Sequence, residues 1–158
     1  MCQEEVVGPL DEAVGYVLKQ AASALRAAMD AALRPLELTV PQYSCLEVLG
    51  QRPGSSMADL ARGTFVTRQS MNGVLRGLQD RGLVTRPATV AHGRALPTEL
   101  TAAGRDQLRV ASTTVRAVER RMLGALAPAD QRRLRDDLAA CAAALAPPGR
   151  ESGVDVES

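Results

Sequence analysis

The sequence predicts a mainly α-helical fold with one small β-hairpin past its middle. Three observations predict it. Apolar residues recur every three to four positions across 11–34, 101–125 and 128–146. Between residues 83 and 100 the period falls to two. Between these stretches, Ser, Thr, Pro and Gly stand where helices start and stop. With 158 residues, 46% of them apolar and 23% charged, the chain is sized for one domain, or for one small module plus an oligomerisation element.

The first helix runs over 11–34. Val14, Leu18, Ala21, Leu25, Ala28 and Ala32 make one stripe, and Pro35 ends it. The second covers 39–51. Thr39-Val40-Pro41-Gln42 reads as a capping box with proline in the first turn, and Gly50 with Pro53-Gly54 closes the helix. Ser56 caps a short third helix through Arg62, with Gly63 at its end.

After the turn 64–66, Thr67 caps a fourth helix over 68–81. Its inner face is Met71, Val74, Leu75 and Leu78. Its outer face is Arg68, Gln69, Asn72, Gly73 and Arg76. Gly82 lets the chain reverse. Two strand segments, 83–89 and 94–100, flank a loop tip at 90–93. Pro97 makes the second an edge or irregular strand, and Leu96, Thr98 and Leu100 share one of its faces. Leu108, Ala111, Val115, Val118, Met122 and Ala125 then resume the helical stripe. Ala127-Pro128 starts a last helix carrying Leu134, Leu138, Cys141 and Leu145.

Two short helices joined by a tight turn, followed by a hairpin, make a winged helix-turn-helix. Residues 39–100 are assigned to it. Residues 11–38 and 101–146 form a helical dimerisation region, because three alanine and leucine stripes lack a partner within one chain. Residues 1–10 read as a flexible arm and 147–158 as a disordered tail.

Composition excludes several activities. His92 is the sole histidine, which leaves nothing for a Ser-His-Asp or Cys-His centre. Cys2, Cys45 and Cys141 are too scattered for a zinc site or a disulfide framework. No phosphate loop or nucleophile–base pair is present, so neither an enzyme nor a cofactor is expected. Tyr16, Tyr43 and Phe65 are the only aromatics, too few for a single-strand stacking platform. The start has no secretory pattern and no apolar run spans a bilayer, so a soluble, cytoplasmic protein is expected.

The net charge of +1 hides a cluster. Arg62, Arg68, Arg76, Arg81, Arg86 and Arg94 face one acid, Asp80, within a window that carries +5. A major groove about 12 Å wide admits a helix such as 68–81. Gln69 or Asn72 suits adenine. Arg68 suits guanine, and Arg76 a phosphate. Thr67 and Ser70 lie at the start of that helix, and Arg94 follows the hairpin tip, where it suits a minor groove. Gly73 costs about 1 kcal/mol in an exposed helix relative to alanine, and close approach of backbone to DNA is a reason to keep it.

In their order and spacing, Leu36-Glu-Leu-Thr39-Val-Pro41-Gln42-Tyr43, Leu60-Ala61, Val66-Thr67-Arg68-Gln69-Ser70, Leu78-Gln-Asp-Arg81-Gly82-Leu83-Val84, Gly93-Arg94 and Leu100-Thr101-Ala-Ala-Gly104 resemble the MarR family of bacterial transcription regulators. The resemblance covers roughly residues 11–146. It implies a homodimeric winged-helix repressor that binds a near-palindromic operator and is released by a small apolar or aromatic effector. It also implies an effector pocket between the dimer helices and the winged domain, for which Tyr16, Lys19, Gln20, Ser23, Gln42 and Tyr43 are candidates. His92 stands where the family's wing usually carries Asp, and Gly73 where an arginine is frequent. Val14-Gly15 occupy the place of the reactive cysteine of peroxide-sensing members. Cys45, among Leu46, Val48 and Leu49, reads as a small buried hydrophobe. A thiol-based redox sensor on the same scaffold and a winged-helix module that binds protein are the alternatives.

Overall fold

A computed structural model describes residues 8–86 and 97–147. A 3₁₀ turn (Leu10–Glu12) precedes α1 (Val14–Leu33), and a second (Arg34–Leu36) follows it. Then come α2 (Val40–Gln51), α3 (Met57–Thr64), α4 (Arg68–Asp80), β1 (Val84–Thr85), β2 (Glu99–Leu100), α5 (Ala102–Leu123) and α6 (Pro128–Leu145). The strands pair antiparallel, Val84 opposite Leu100 and Thr85 opposite Glu99. The described strands are therefore shorter than the sequence suggests, and β2 begins only after Pro97. Cys2, the hairpin tip with His92 and Arg94, Leu96 and the tail from 148 onward lie outside the described residues.

The helix starts follow the local chemistry. Thr39 Oγ1 accepts the Gln42 N–H at 3.2 Å, and Gln42 Oε1 accepts the Thr39 N–H at 3.0 Å. Ser56 and Asp59 make the same reciprocal box on α3. Hydrogen bonds from the Ser56 hydroxyl and N–H, with Arg62 alongside, hold the Asp59 carboxyl below its ordinary pKa. Gly82 adopts φ +69 as the turn requires.

The helix ends depart from expectation in three places. Gly50 lies inside α2, where a β-carbon would stand 2.7 Å from Leu108 Cδ2 of α5. Gly63 lies inside α3, where a β-carbon would meet Val48 at 3.2 Å. Both are packing glycines rather than stops. The residue that ends α3 is Phe65, in the left-handed region at φ 57. Pro35 does not cut the first helix sharply: the chain tightens into a 3₁₀ turn around it and stops at Glu37, φ 54.

Contacts divide the chain into two compact units, one up to Met122 and one from Leu123. In the first, Leu33, Leu46, Leu49, Leu60, Met71, Leu75 and Leu78 are fully buried, with Ala111 from α5. Thr101 fastens α5 to the turn after α4. Its hydroxyl donates to the Gly82 carbonyl (2.6 Å) and accepts the Gly104 N–H (3.0 Å). Gly104 passes so close to the Leu83 carbonyl that a β-carbon would collide with its oxygen. Much of α1 remains exposed, including Val14, Val17 and Leu18. In the second unit, Gln131 Nε2 donates to the carbonyls of Leu123 (3.2 Å) and Leu126 (3.0 Å). No residue of α6 is buried, and Leu134, Leu138 and Leu145 are all exposed.

Candidate nucleic-acid interface

Helix α4 is amphipathic by sequence, so burying Met71, Leu75 and Leu78 settles which face is left outside. Arg68, Gln69, Asn72, Gly73 and Arg76 share that outer face and are exposed. At its start, Thr67 Oγ1 accepts the Ser70 N–H at 3.1 Å, and its hydroxyl donates to Ser70 Oγ at 3.0 Å. The Ser70 hydroxyl is thereby free to donate outward. Around Gly73 a β-carbon would find nothing within 4 Å, so no contact among the described residues demands glycine there.

The structure divides the arginine cluster. Arg62 pairs with Asp59 within α3. Arg81 reaches back across the fold, donating from Nη1 to the Glu37 carbonyl (2.6 Å) and from Nη2 to the Leu36 carbonyl (3.3 Å). Gln107 Nε2 of α5 donates to the same Leu36 carbonyl at 3.0 Å. The turn between α1 and α2 is thus clamped from α4's end and from α5. Arg86 is half-buried. Arg68 and Arg76 make no ion pair among the described residues. The positive charge on α4 itself is these two, with the exposed Asp80 at its far end.

The effector candidates lie on α1 and α2 and differ in exposure. Tyr16, Lys19, Gln20 and Ser23 are exposed along α1. Gln42 is half-buried, with its amide oxygen committed to the cap of α2. Tyr43 is buried. Burial pushes its phenol above the ordinary pKa, opposed by a hydrogen bond with Ser112 and by the charge of Arg116, and reinforced by Glu47. Cys45 is fully buried, and burial pushes its thiol up to about 12. Cys141 is exposed.

Among the cavities lined by the described residues, two have no counterpart among the sequence expectations. One, of about 410 Å³, opens between α2, β2 and α5, with Leu49, Gly50, Leu100 and Leu108 in its lining and Arg105 and Arg109 beside them. None of the six effector candidates lines it. The other is an apolar groove of about 250 Å³ between α1 and α5, lined by Ala21, Ala24, Leu25, Ala28, Val118, Arg121 and Met122. The alanine spacing on α1 was the available signal for the groove. Nothing in sequence spacing joins Leu49 to Leu108.

Residues 36–95, which contain the helix-turn-helix, match the family model described as MarR family. The HTH-type transcriptional repressor Rv2887 of Mycobacterium tuberculosis is 47% identical over 125 residues, covering 79% of this chain and 90% of that protein. The chain belongs to the MarR family. It is a transcriptional regulator by membership and by its relatives' names. Two crystal structures of the MarR-family protein Rv2887 share the fold. The one in complex with DNA is 43% identical with a TM-score of 0.70, covering 82% of this chain and 97% of the other. The one in complex with salicylic acid is 46% identical with a TM-score of 0.68, covering 82% and 96%. The winged-helix architecture expected of a MarR-family regulator is the one observed, with α3 and α4 as its helix-turn-helix pair.

Proposed function

We propose that the chain is a homodimeric repressor that grips a near-palindromic DNA duplex with α4 and the hairpin, and releases it when a small apolar or aromatic effector binds. The observation that carries the reading is the outer face of α4. Gln69 and Asn72 supply the paired donor and acceptor that suit adenine, and Arg68 and Arg76 carry charge that no internal partner claims among the described residues. Thr67 and Ser70 contact phosphate at the helix start. Arg94 reads the width of a minor groove. Crystallisation of Rv2887 with DNA and with salicylic acid supports both halves of the reading.

Dimerisation is supported by the apolar surface. Val14, Val17 and Leu18 on α1 and Leu134, Leu138 and Leu145 on α6 stand exposed in a single chain. Burying a fully exposed side chain of this kind contributes about 1.5–3 kcal/mol, and Val17, Leu18, Leu134 and Leu138, already more than half covered, contribute proportionally less. A two-fold pair would set two copies of α4 at half-sites about one DNA turn apart. The effector bears on Tyr16, Lys19, Gln20, Ser23, Gln42 and Tyr43 and favours a dimer whose α4 spacing no longer matches the duplex. No helix among the described residues is long and apolar enough to cross a membrane, and the protein acts on DNA in the cytoplasm without catalysis or cofactor.

The test is selection of bound duplexes from random DNA, followed by titration of the winner in parallel with sedimentation. A two-chain particle that binds one palindromic duplex, and loses it on adding an aryl carboxylate, is expected. A monomer that enriches no sequence contradicts the reading.

A further inference from the structure

Phe65 is the only phenylalanine in the chain, and it is 95% exposed. It also occupies the left-handed backbone region at φ 57, where a side chain is strained and glycine is not. Its direction is imposed by its neighbours. Thr64 is buried, its hydroxyl donating to the Leu60 carbonyl at 2.7 Å. Val66 packs against the core, its N–H donating to the Ala61 carbonyl at 3.1 Å. With both neighbours turned in, the ring is turned out. Glycine would satisfy the backbone here, and a polar residue would satisfy the solvent. Phenylalanine does neither, and nothing among the described residues compensates it. Its position supplies the missing partner: Phe65 stands in the turn between α3 and α4, two residues before the Thr67 cap and on the approach to Arg68 and Gln69.

We propose that Phe65 is a further DNA-contacting residue, its ring packing against the C5-methyl group of a thymine beside the N-terminal end of α4. The inference rests on the reading of α4 as the groove-reading helix. In the major groove the thymine methyl is the apolar mark that distinguishes that base, and phenylalanine is among the side chains that contact it. A single ring in a duplex has no unstacked base to lie upon, so an edge contact with a methyl group is the geometry open to it.

The experiment titrates the wild type, Phe65→Ala, Phe65→Gly and Phe65→Leu on the selected duplex. It repeats each on duplexes in which single thymines are replaced by deoxyuridine, which removes only the methyl. Melting is measured on every variant. Phe65→Gly should melt higher than the wild type, which shows that any lost binding is not lost folding. Phe65→Ala and Phe65→Gly should each lower affinity about three- to tenfold, the scale of one apolar contact. Phe65→Leu should retain most of it. At one thymine, deoxyuridine should weaken the wild type by a similar factor and leave Phe65→Ala unchanged. Normal affinity of Phe65→Ala and Phe65→Gly, while the wild type binds, overturns this inference and leaves the reading of α4 standing. Equal loss on thymine and deoxyuridine duplexes at every position also overturns it. A loss of self-association with DNA affinity intact places the ring against protein and overturns it as well. Failure of the wild type itself to bind removes the reading of α4 and this inference together.

Discussion

Replacing Gly73 by alanine should make the folded protein more stable and its DNA complex weaker. Gly73 lies in the interior of α4, five residues past Arg68, on the exposed face. A β-carbon built there meets nothing within 4 Å, so the substitution carries no steric cost against the described residues. What remains is the helix preference of alanine over glycine, about 0.8–1 kcal/mol in favour of the variant. For a chain of this size that raises the melting midpoint by roughly 3 °C. On DNA the sign reverses if the helix backbone lies against the groove at this point. One methyl group then holds α4 away and lengthens the contacts of Gln69, one turn before it, and of Asn72, the preceding residue. Loss of one bidentate base contact costs about 1–3 kcal/mol, which is roughly five- to 150-fold in affinity. The assay pairs thermal melting with fluorescence anisotropy on a selected duplex. A variant that melts higher and binds equally well refutes the reasoning and makes Gly73 a neutral surface glycine.

Gly104→Ala should do the opposite to the fold. Its β-carbon collides with the Leu83 carbonyl, a backbone atom that cannot swing aside, so a loss of about 1–3 kcal/mol is expected in urea titration. Cys45 should resist thiol reagents at pH 8 in the native protein and react only as the chain opens, because burial pushes its thiol up to about 12. The folded state holds that proton more tightly than the unfolded state does. Its contribution to stability is therefore full below the ordinary thiol pKa of about 8.5, and is lost as pH rises toward 12. Cys45→Ala should flatten that alkaline decline, which denaturant titration at pH 7, 9 and 10.5 measures.

How legible the sequence was depended on the range of the interaction. The caps at Thr39, Ser56 and Thr67 involve partners three residues away, and all three were readable from spacing. The turn glycine Gly82 was readable for the same reason. Gly50 and Gly63 read as helix stops in the sequence and are packing positions in the fold, because glycine carries two meanings. Which one applies here is set by Leu108 and Val48, residues distant in sequence. By sequence the arginine window is one patch. Its division depends on Arg81 reaching a carbonyl 44 residues upstream, which no local pattern announces. The outer face of α4 was legible because a 13-residue amphipathic helix leaves little choice of which side to bury. The effector residues were less so, since Tyr43 is enclosed by Ser112 and Arg116 from a helix whose placement the sequence does not supply. The exposure of Phe65 has no local sequence signal, because it is set by Thr64 and Val66 turning inward on either side.

The measurement that bears most directly on the account is titration of Gln69→Ala and Asn72→Ala, beside Arg94→Ala, on cognate and scrambled duplexes at two salt concentrations. Gln69 and Asn72 lie on the exposed face of α4 and should read base edges. Each alanine should cost about 1–3 kcal/mol on the cognate duplex and little on the scrambled one, with the salt dependence unchanged. Arg94→Ala should weaken both duplexes more evenly and flatten the salt dependence, because fewer counterions are released. Equal losses on cognate and scrambled DNA for Gln69→Ala and Asn72→Ala, or no loss on either, would contradict the claim that α4 reads sequence.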